Sequence, residues 1–333
     1  MDYEILLERY QNMLSNYIKV RGERALYKGQ QFSRKMIEQN VSPEEVVSLH
    51  IEVLNNLLPD LDEKMYASLE FLLEVMIGYG FAYREHQSLR DRQQQLDSEI
   101  DIAANVQQSL LKGKVPDCDF IDIGVISQPA KKMSGDYYHF VMDDNNCISV
   151  AVADIVGKGI PAAMCMSMIK YSMDSLPEQR MQPGAMLESL NRVVEQNVDP
   201  SMFITMFYGI YDPRIQEFSF ASAGHEPGFY YSADSDYFDE LSAKGLVLGL
   251  SRTTTYQEYV KTVGPGDMII LLSDGVTECR TEKGFIEREE IIAMIRRNMH
   301  LSAQKIVDNV FYELEKLQDF ELRDDFTLLV MKF

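Results

Sequence analysis

The chain is poor in positive charge. Against 52 Asp and Glu it has only 32 Lys and Arg, a formal net charge of −20 over 333 residues. No basic cluster stands out of the kind a polyanion needs for neutralisation, so nucleic acid is disfavoured and a protein or a small phosphorylated substrate is the expected partner. Cysteine is scarce too. Cys118, Cys147, Cys165 and Cys279 stand apart with no C-x-x-C spacing, which excludes a zinc-ribbon site and a disulfide framework and leaves four reduced, mostly buried side chains. The five histidines form no cluster, which argues against a nuclease or phosphodiesterase centre. The start, Met1-Asp2-Tyr3-Glu4, lacks the basic and apolar segments of a signal peptide, and Glu70 and Glu74 interrupt the longest apolar stretch, residues 69–83. The expected location is cytoplasmic, with no membrane anchor. No internal repeat or low-complexity tract is present. With 46% hydrophobic residues the chain has enough material for two packed domains.

The first 84 residues read as helical throughout, apolar residues returning every three or four positions, as in Ile5, Leu6, Tyr10, Met13, Leu14 and Tyr17. Gly22 is expected to end the first helix. Ser42-Pro43-Glu44-Glu45 supplies an N-cap serine, a first-turn proline and a glutamate three residues on, Pro59-Asp60 stops the third helix, and Asp60 or Asp62 can cap a fourth. Residues 1–84 are thus expected to form a small bundle that binds a partner and forms a homodimer, being too short to bury all of its apolar surface alone. Residues 85–112 remain helical but polar. Leu89, Leu96, Ala103 and Leu110 repeat every seven residues with Gln93, Ile100 and Gln107 between them, a thin coiled-coil-like seam weakened by its glutamines.

After Pro116 the apolar period shortens to two, and residues 120–125, 147–152, 203–211, 218–221, 268–272 and 326–331 read as strands. Residues 161–176, 183–198, 287–298 and 303–317 read as helices. Strands and helices arrive in blocks, so the expected class for residues 113–333 is α+β, an antiparallel β-sandwich flanked by helices.

Four acidic motifs punctuate this region: Ser134-Gly135-Asp136, Ala153-Asp154-Ile155-Val156-Gly157-Lys158-Gly159, Ser273-Asp274-Gly275 and Asp324-Asp325-Phe326-Thr327. Most of their aspartates fall at the ends of apolar runs beside glycines that bring backbone close, the oxygen-rich setting a hard divalent cation favours. Each motif alone is an ordinary turn or loop end. Ser273 lacks the strand-turn-helix elbow of a nucleophilic serine, and no Ser-His-Asp or Cys-His pattern is present. Gly157-Lys158-Gly159 lacks the spacing of a nucleotide-binding loop, which excludes an ATPase. Lys131 and Lys132 are either phosphate contacts or a basic surface loop, and His225 in Gly224-His225-Glu226-Pro227 reads as a loop-bracing residue rather than a general acid.

In this order, and with Gly245-Leu246-Val247-Leu248-Gly249 and Gly264-Pro265-Gly266-Asp267 between them, the motifs resemble those of the PPM-type (type 2C) serine/threonine phosphatases. The similarity is greatest to the bacterial branch that includes the sporulation phosphatase SpoIIE. It spans residues 120–333, and with the helical N-terminal region and linker the whole chain is similar to the branch members that activate a stress sigma factor. The resemblance implies a site for two divalent cations, Mn²⁺ or Mg²⁺. Asp154 would bridge them, the Ile155 carbonyl would bind one, and Asp274 with Asp324 or its neighbour Asp325 would complete the other. Asp136 would act on the metals through coordinated water. It implies as substrate a phosphorylated anti-anti-sigma protein, and as activator a kinase-like protein on the N-terminal bundle. His139 departs from the branch pattern, standing where an acid is frequent. The alternatives are a phosphatase-like scaffold without activity, against which the retained aspartates argue, and another metal-dependent phosphohydrolase.

Overall fold

A computed structural model describes residues 3–39, 41–111, 113–156, 159–175, 182–199, 202–281, 284–318, 320 and 322–333. The chain forms two compact units, Met1–Asp97 and Ser98–Phe333.

In the first unit α1 (Tyr3–Lys19), α2 (Glu23–Glu38) and α3 (Pro43–Leu57) enclose a core of Leu6, Phe32, Met36, Leu49 and Val53. The capping box before α3 is present, with Glu45 N donating to Ser42 Oγ and Ser42 N to a Glu45 carboxylate oxygen. Gly22 is the N-cap of α2 rather than the end of α1, which stops at Lys19. Asp62, whose Oδ1 accepts from Lys64 N at 2.8 Å, opens α4 (Glu63–Leu111). This helix runs unbroken for 49 residues, because no proline falls within it and Gly78 and Gly80 are tolerated in a helix so long. Arg84 pairs with Glu44 of α3 at 2.5 Å. Phe71, Val75, Tyr79 and Phe81 of α4 stay exposed, Phe71 at 73%.

The second unit bears out the α+β expectation as four layers. One sheet has the order β2-β3-β4-β5-β8, from β2 (Asp136–Met142), β3 (Ile148–Ile155), β4 (Ile204–Asp212), β5 (Glu217–Ala223) and β8 (Tyr259–Thr262). The other has the order β1-β12-β9-β6-β7, from β1 (Asp122–Gln128), β12 (Phe326–Lys332), β9 (Met268–Leu272), β6 (Gly228–Ser232) and β7 (Tyr237–Leu241). Every pairing in both sheets is antiparallel. A short ladder of β10 (Arg280–Thr281) with β11 (Gly284–Phe285) lies apart.

Alternation along the strands decides the layering. Val150, Val152, Phe207 and Phe218 meet Ile269, Leu271, Leu329 and Met331 between the sheets. The intervening Ala151, Ala153 and Met206 pack on α5 (Ile160–Ser175) and α6 (Pro183–Asn197). Ile270, Leu272, Leu328 and Val330 pack on α8 (Arg288–Asn298) and α9 (Ala303–Leu317). Both faces of the central strands are therefore buried, which explains their continuous apolar runs. The strands the sequence did not disclose are β2, rich in tyrosine and opened by an aspartate, the two-residue β10 and β11, and the short β6, β7 and β8, which begin with glycine or alternate with charge. Among them β2, β7 and β8 are edge strands of the two larger sheets, and in β7 and β8 charge supplies the usual protection against further pairing.

Candidate active site

The two sheets bring the four acidic motifs to one end of the sandwich. Antiparallel pairing of β2 with β3 sets Asp136 opposite Asp154, and pairing of β3 with β4 sets Asp154 opposite Thr205. In the second sheet Leu272 of β9 faces Leu328 of β12. Asp274, which begins the one-turn α7 (Asp274–Thr277), and Asp324-Asp325, just before β12, therefore emerge side by side. A Cβ on Gly275 would lie 2.0 Å from the Asp325 carbonyl oxygen, so only glycine allows α7 to cross the β12 loop this closely.

Asp325 joins the two sheet ends. Its Oδ1 accepts from Ala130 N at 2.8 Å and its Oδ2 from Gly135 N at 2.5 Å, so both carboxylate oxygens hold the loop that leads into Asp136. Asp324 Oδ1 accepts from Asp325 N at 3.0 Å. The adjacent acids thus have different surroundings. A Cβ on Gly135 would sit 3.2 Å from Asp154 Oδ1, 3.2 Å from the Ile155 carbonyl oxygen and 3.4 Å from Asp325 Oδ2. Three oxygens converge on the space over this glycine.

The electrostatics are those of negative charges pressed together. Burial pushes the Asp154 carboxyl up to about 6, and Asp274, Asp324 and Asp325 push it the same way. Asp274 is raised by burial, then by Asp324 and Glu278, against a backbone hydrogen bond at Gly275. Asp136, 4% exposed, is raised well above the carboxylate range by burial, with Asp154 and Asp325 adding to it. The hydroxyls of Ser273 and Thr327 oppose that shift, while Asp136 Oδ2 has no hydrogen-bond partner. Among the described residues no group of three or more acidic, histidine or cysteine side chains is arranged to hold a metal ion by itself. Converging oxygens, an orphaned buried carboxylate oxygen and mutual repulsion of this kind still fit divalent cations that retain water in part of their shell, since such ions offset the charge and water fills the remaining positions.

Ser273 does stand between a strand and a helix, β9 and α7, which corrects the expectation that no such elbow is present. It is nonetheless fully buried, its Oγ accepting from Thr327 N at 3.0 Å and donating to the Asp325 carbonyl at 3.4 Å. It braces the site and cannot meet a substrate. His225 is buried, with Nδ1 2.9 Å from Thr205 Oγ1 and its backbone N–H donating to Ser222 Oγ. Burial lowers its pKa to about 4, so it is neutral near pH 7. His139 lies 3.1 Å from Asp174 Oδ1 of α5 and stacks on Tyr137. One strand position out of phase with Asp136, it faces the outer helices.

Beside the aspartates a cavity of about 490 Å³ is lined by Met133, Ile160 and Pro161, with Lys131, Lys132 and Arg323 also at its wall. Lys132 pairs with Asp101 at 2.7 Å. Lys158 lies outside the described residues. Sequence reasoning missed Gln107 as part of this region. It is 4% exposed and bonded to Ser134, and the only signal was its place in a helical seam.

An αββα sandwich with acidic loops at one end defines the PP2C phosphatase class. Residues 144–333 match the family model described as stage II sporulation protein E (SpoIIE), and residues 8–82 match that of the N-terminal domain of phosphoserine phosphatase RsbU. The chain is 57% identical over 333 residues to phosphoserine phosphatase RsbU of Bacillus subtilis (strain 168), covering 100% of this chain and 99% of the relative. Among solved structures, the SiaA-PP2C domain of Pseudomonas aeruginosa superposes with TM-score 0.61 at 18% identity, covering 73% of this chain and 98% of that one. The RsbU and RsbW domains of Rv1364c from Mycobacterium tuberculosis give TM-score 0.54 at 24% identity, covering 64% and 61%. The chain belongs to the RsbU family of SpoIIE-type PP2C phosphatases, and is a protein phosphatase of the stress-response type.

Proposed function

We propose that the protein removes phosphate from phosphoserine or phosphothreonine on an anti-anti-sigma protein, using two divalent cations, Mn²⁺ or Mg²⁺, and so activates a stress sigma factor. The observation that carries the metal dependence is the carboxylate cluster at Asp154, raised to about 6 by its burial and its acidic neighbours. Asp154, the Ile155 carbonyl and Asp274, with Asp324 or Asp325, would hold the ions. When bound, they supply an activated water and charge stabilisation for the phosphoryl oxygens. The chain's own contribution is to fix those oxygens in place. Asp325 is the more constrained of the adjacent pair, because its two oxygens already secure the Gly135 loop, which favours Asp324 for the ion. Asp136 would act on the ions through coordinated water. The cavity walled by Lys131, Lys132 and Arg323 offers room for the residues around the phosphorylated side chain.

Phosphate release from a phosphoserine protein tests this reading. Turnover is expected with Mn²⁺ or Mg²⁺, to fall at least roughly a thousandfold in chelator and to return with either ion, since the cations supply most of the stabilisation in such sites. Monoesters should be hydrolysed and diesters not. Undiminished turnover in chelator would overturn the metal assignment, and preference for diesters the substrate class.

We further infer that the N-terminal bundle binds a kinase-like activator protein, forms a homodimer and signals through the helix of residues 85–112, and that the protein is cytoplasmic. The exposed Phe71, Val75, Tyr79 and Phe81 on α4 support the dimer, because an apolar stripe of this size is costly in water. Sedimentation of the full chain at micromolar concentration should give a dimer that Phe71→Glu with Tyr79→Glu converts to monomer. A wild-type monomer would remove the dimer from the proposal.

A further inference from the structure

We propose that Gln107 is a positioning residue for the phosphatase site, the side chain that fixes the backbone at Ser134 and through it the Ser134-Gly135-Asp136 loop. The proposal rests on the metal-dependent reading above.

Gln107 lies in the last turns of α4, within the second unit. On a polar helix it is a buried polar side chain, 4% exposed beside Ala104 at 7%, where Leu96 and Ile102 of the same helix are 54% and 62% exposed. Its amide serves one residue twice. Nε2 donates to the Ser134 carbonyl oxygen at 2.8 Å, and Ser134 N donates to Oε1 at 3.2 Å. A side-chain amide that donates to the carbonyl and accepts from the N–H of one residue fixes the two peptide groups flanking it in orientation as well as place, as a neighbouring strand would. Glutamine is the side chain with this reach and both functions. A further contact, Nε2 to Met166 Sδ at 3.2 Å, ties the same amide to α5, the helix that follows the Asp154 loop.

The next two residues make the position consequential. Gly135 N is held by Asp325 Oδ2 at 2.5 Å, and Gly135 O accepts from Ile155 N at 3.1 Å. Asp136 N donates to Ser134 Oγ at 3.0 Å. The segment is thus held from α4 at Ser134, from the β12 loop at Gly135 and from β3 at the same glycine. Gln107 is the only one of these anchors that no acidic motif supplies. A cavity of about 340 Å³ adjoins it, walled by Gln107, Ser134, Asp136 and Tyr137. Water can therefore reach the Ser134 peptide when the amide is removed, so the fold should survive while the constraint is lost.

Gln107→Leu in the full chain keeps the volume and removes both hydrogen bonds. The expected result is a kcat on p-nitrophenyl phosphate at least tenfold lower with KM within about twofold, because a small aryl phosphate does not touch Gln107. Amide hydrogen exchange in the metal-free protein should rise at least tenfold in the peptide containing Ser134 and stay unchanged in β4 and β9. This second readout does not depend on metal or activity, so it separates failure of this proposal from failure of the phosphatase reading. Gln107→Glu, which keeps the acceptor for Ser134 N–H, should recover part of the exchange protection. Wild-type kcat and wild-type exchange in Gln107→Leu would overturn the proposal. If that variant does not fold, Gln107→Met, close in volume and flexible enough to pack beside Met166, is judged by the same two measurements.

Discussion

Asp154→Asn is expected to abolish turnover while making the metal-free protein more stable. The loss should be roughly a thousandfold or more, because even a partner one shell removed from a metal costs about 10- to 100-fold. The gain follows from linkage. With its folded pKa raised to about 6 by burial and by Asp274, Asp324 and Asp325, the carboxyl binds more protons in the native than in the unfolded state. Metal-free stability accordingly falls as pH rises from the ordinary carboxylate range through about 6, and the full cost is present at pH 7. Two pKa units correspond to at most about 3 kcal/mol, which asparagine should largely restore. Mn²⁺ at about a hundredfold its dissociation constant should add about 2.7 kcal/mol to the wild type and much less to the variant. Thermal melting with and without Mn²⁺, at pH 5 and pH 7, checks both halves. Wild-type turnover in the variant, or an equal response to metal, would remove Asp154 from the site.

Asp325→Asn is expected to damage the fold locally as well as the activity, in contrast to Asp324→Asn. Both Asp325 oxygens accept backbone N–H groups, from Ala130 and Gly135. An asparagine can face only one of them with its oxygen, and must turn its NH₂ toward the other. Two charge-assisted bonds become one neutral bond and a donor–donor contact, a loss of about 2–4 kcal/mol. The Gly135 peptide is then free to move, and turnover should fall roughly a hundredfold, as expected when reacting groups shift by about an ångström. Asp324→Asn should instead keep the urea midpoint and lose metal affinity. Urea titration and calorimetric Mn²⁺ titration of the two variants separate the roles. A normal midpoint in Asp325→Asn together with a lowered one in Asp324→Asn would exchange them.

The sequence by itself determined the order of acidic motifs, the change from helical to alternating period after Pro116, the Ser42 capping box and the strongly negative charge. These are local properties, read from a few neighbouring residues, and local preference agrees with the final fold in the long, fully buried strands and amphipathic helices. The tertiary structure alone decided the rest. Asp324 and Asp325 are adjacent acids whose difference arises from Ala130 and Gly135, nearly 200 residues away along the chain. Ser273 reads in sequence as no nucleophile for want of a strand-turn-helix elbow; folding does place it between β9 and α7, and its burial against Thr327 and Asp325 is what keeps it from substrate. β7 and β8 carry too few apolar residues to declare themselves and exist because β6 and β5 offer them open edges. Gln107 read as a weak point in a helical seam, and its meaning changed because Ser134 lies against it. A side chain's type and period are fixed where it stands, whereas its partner is chosen by distant segments that only folding brings together.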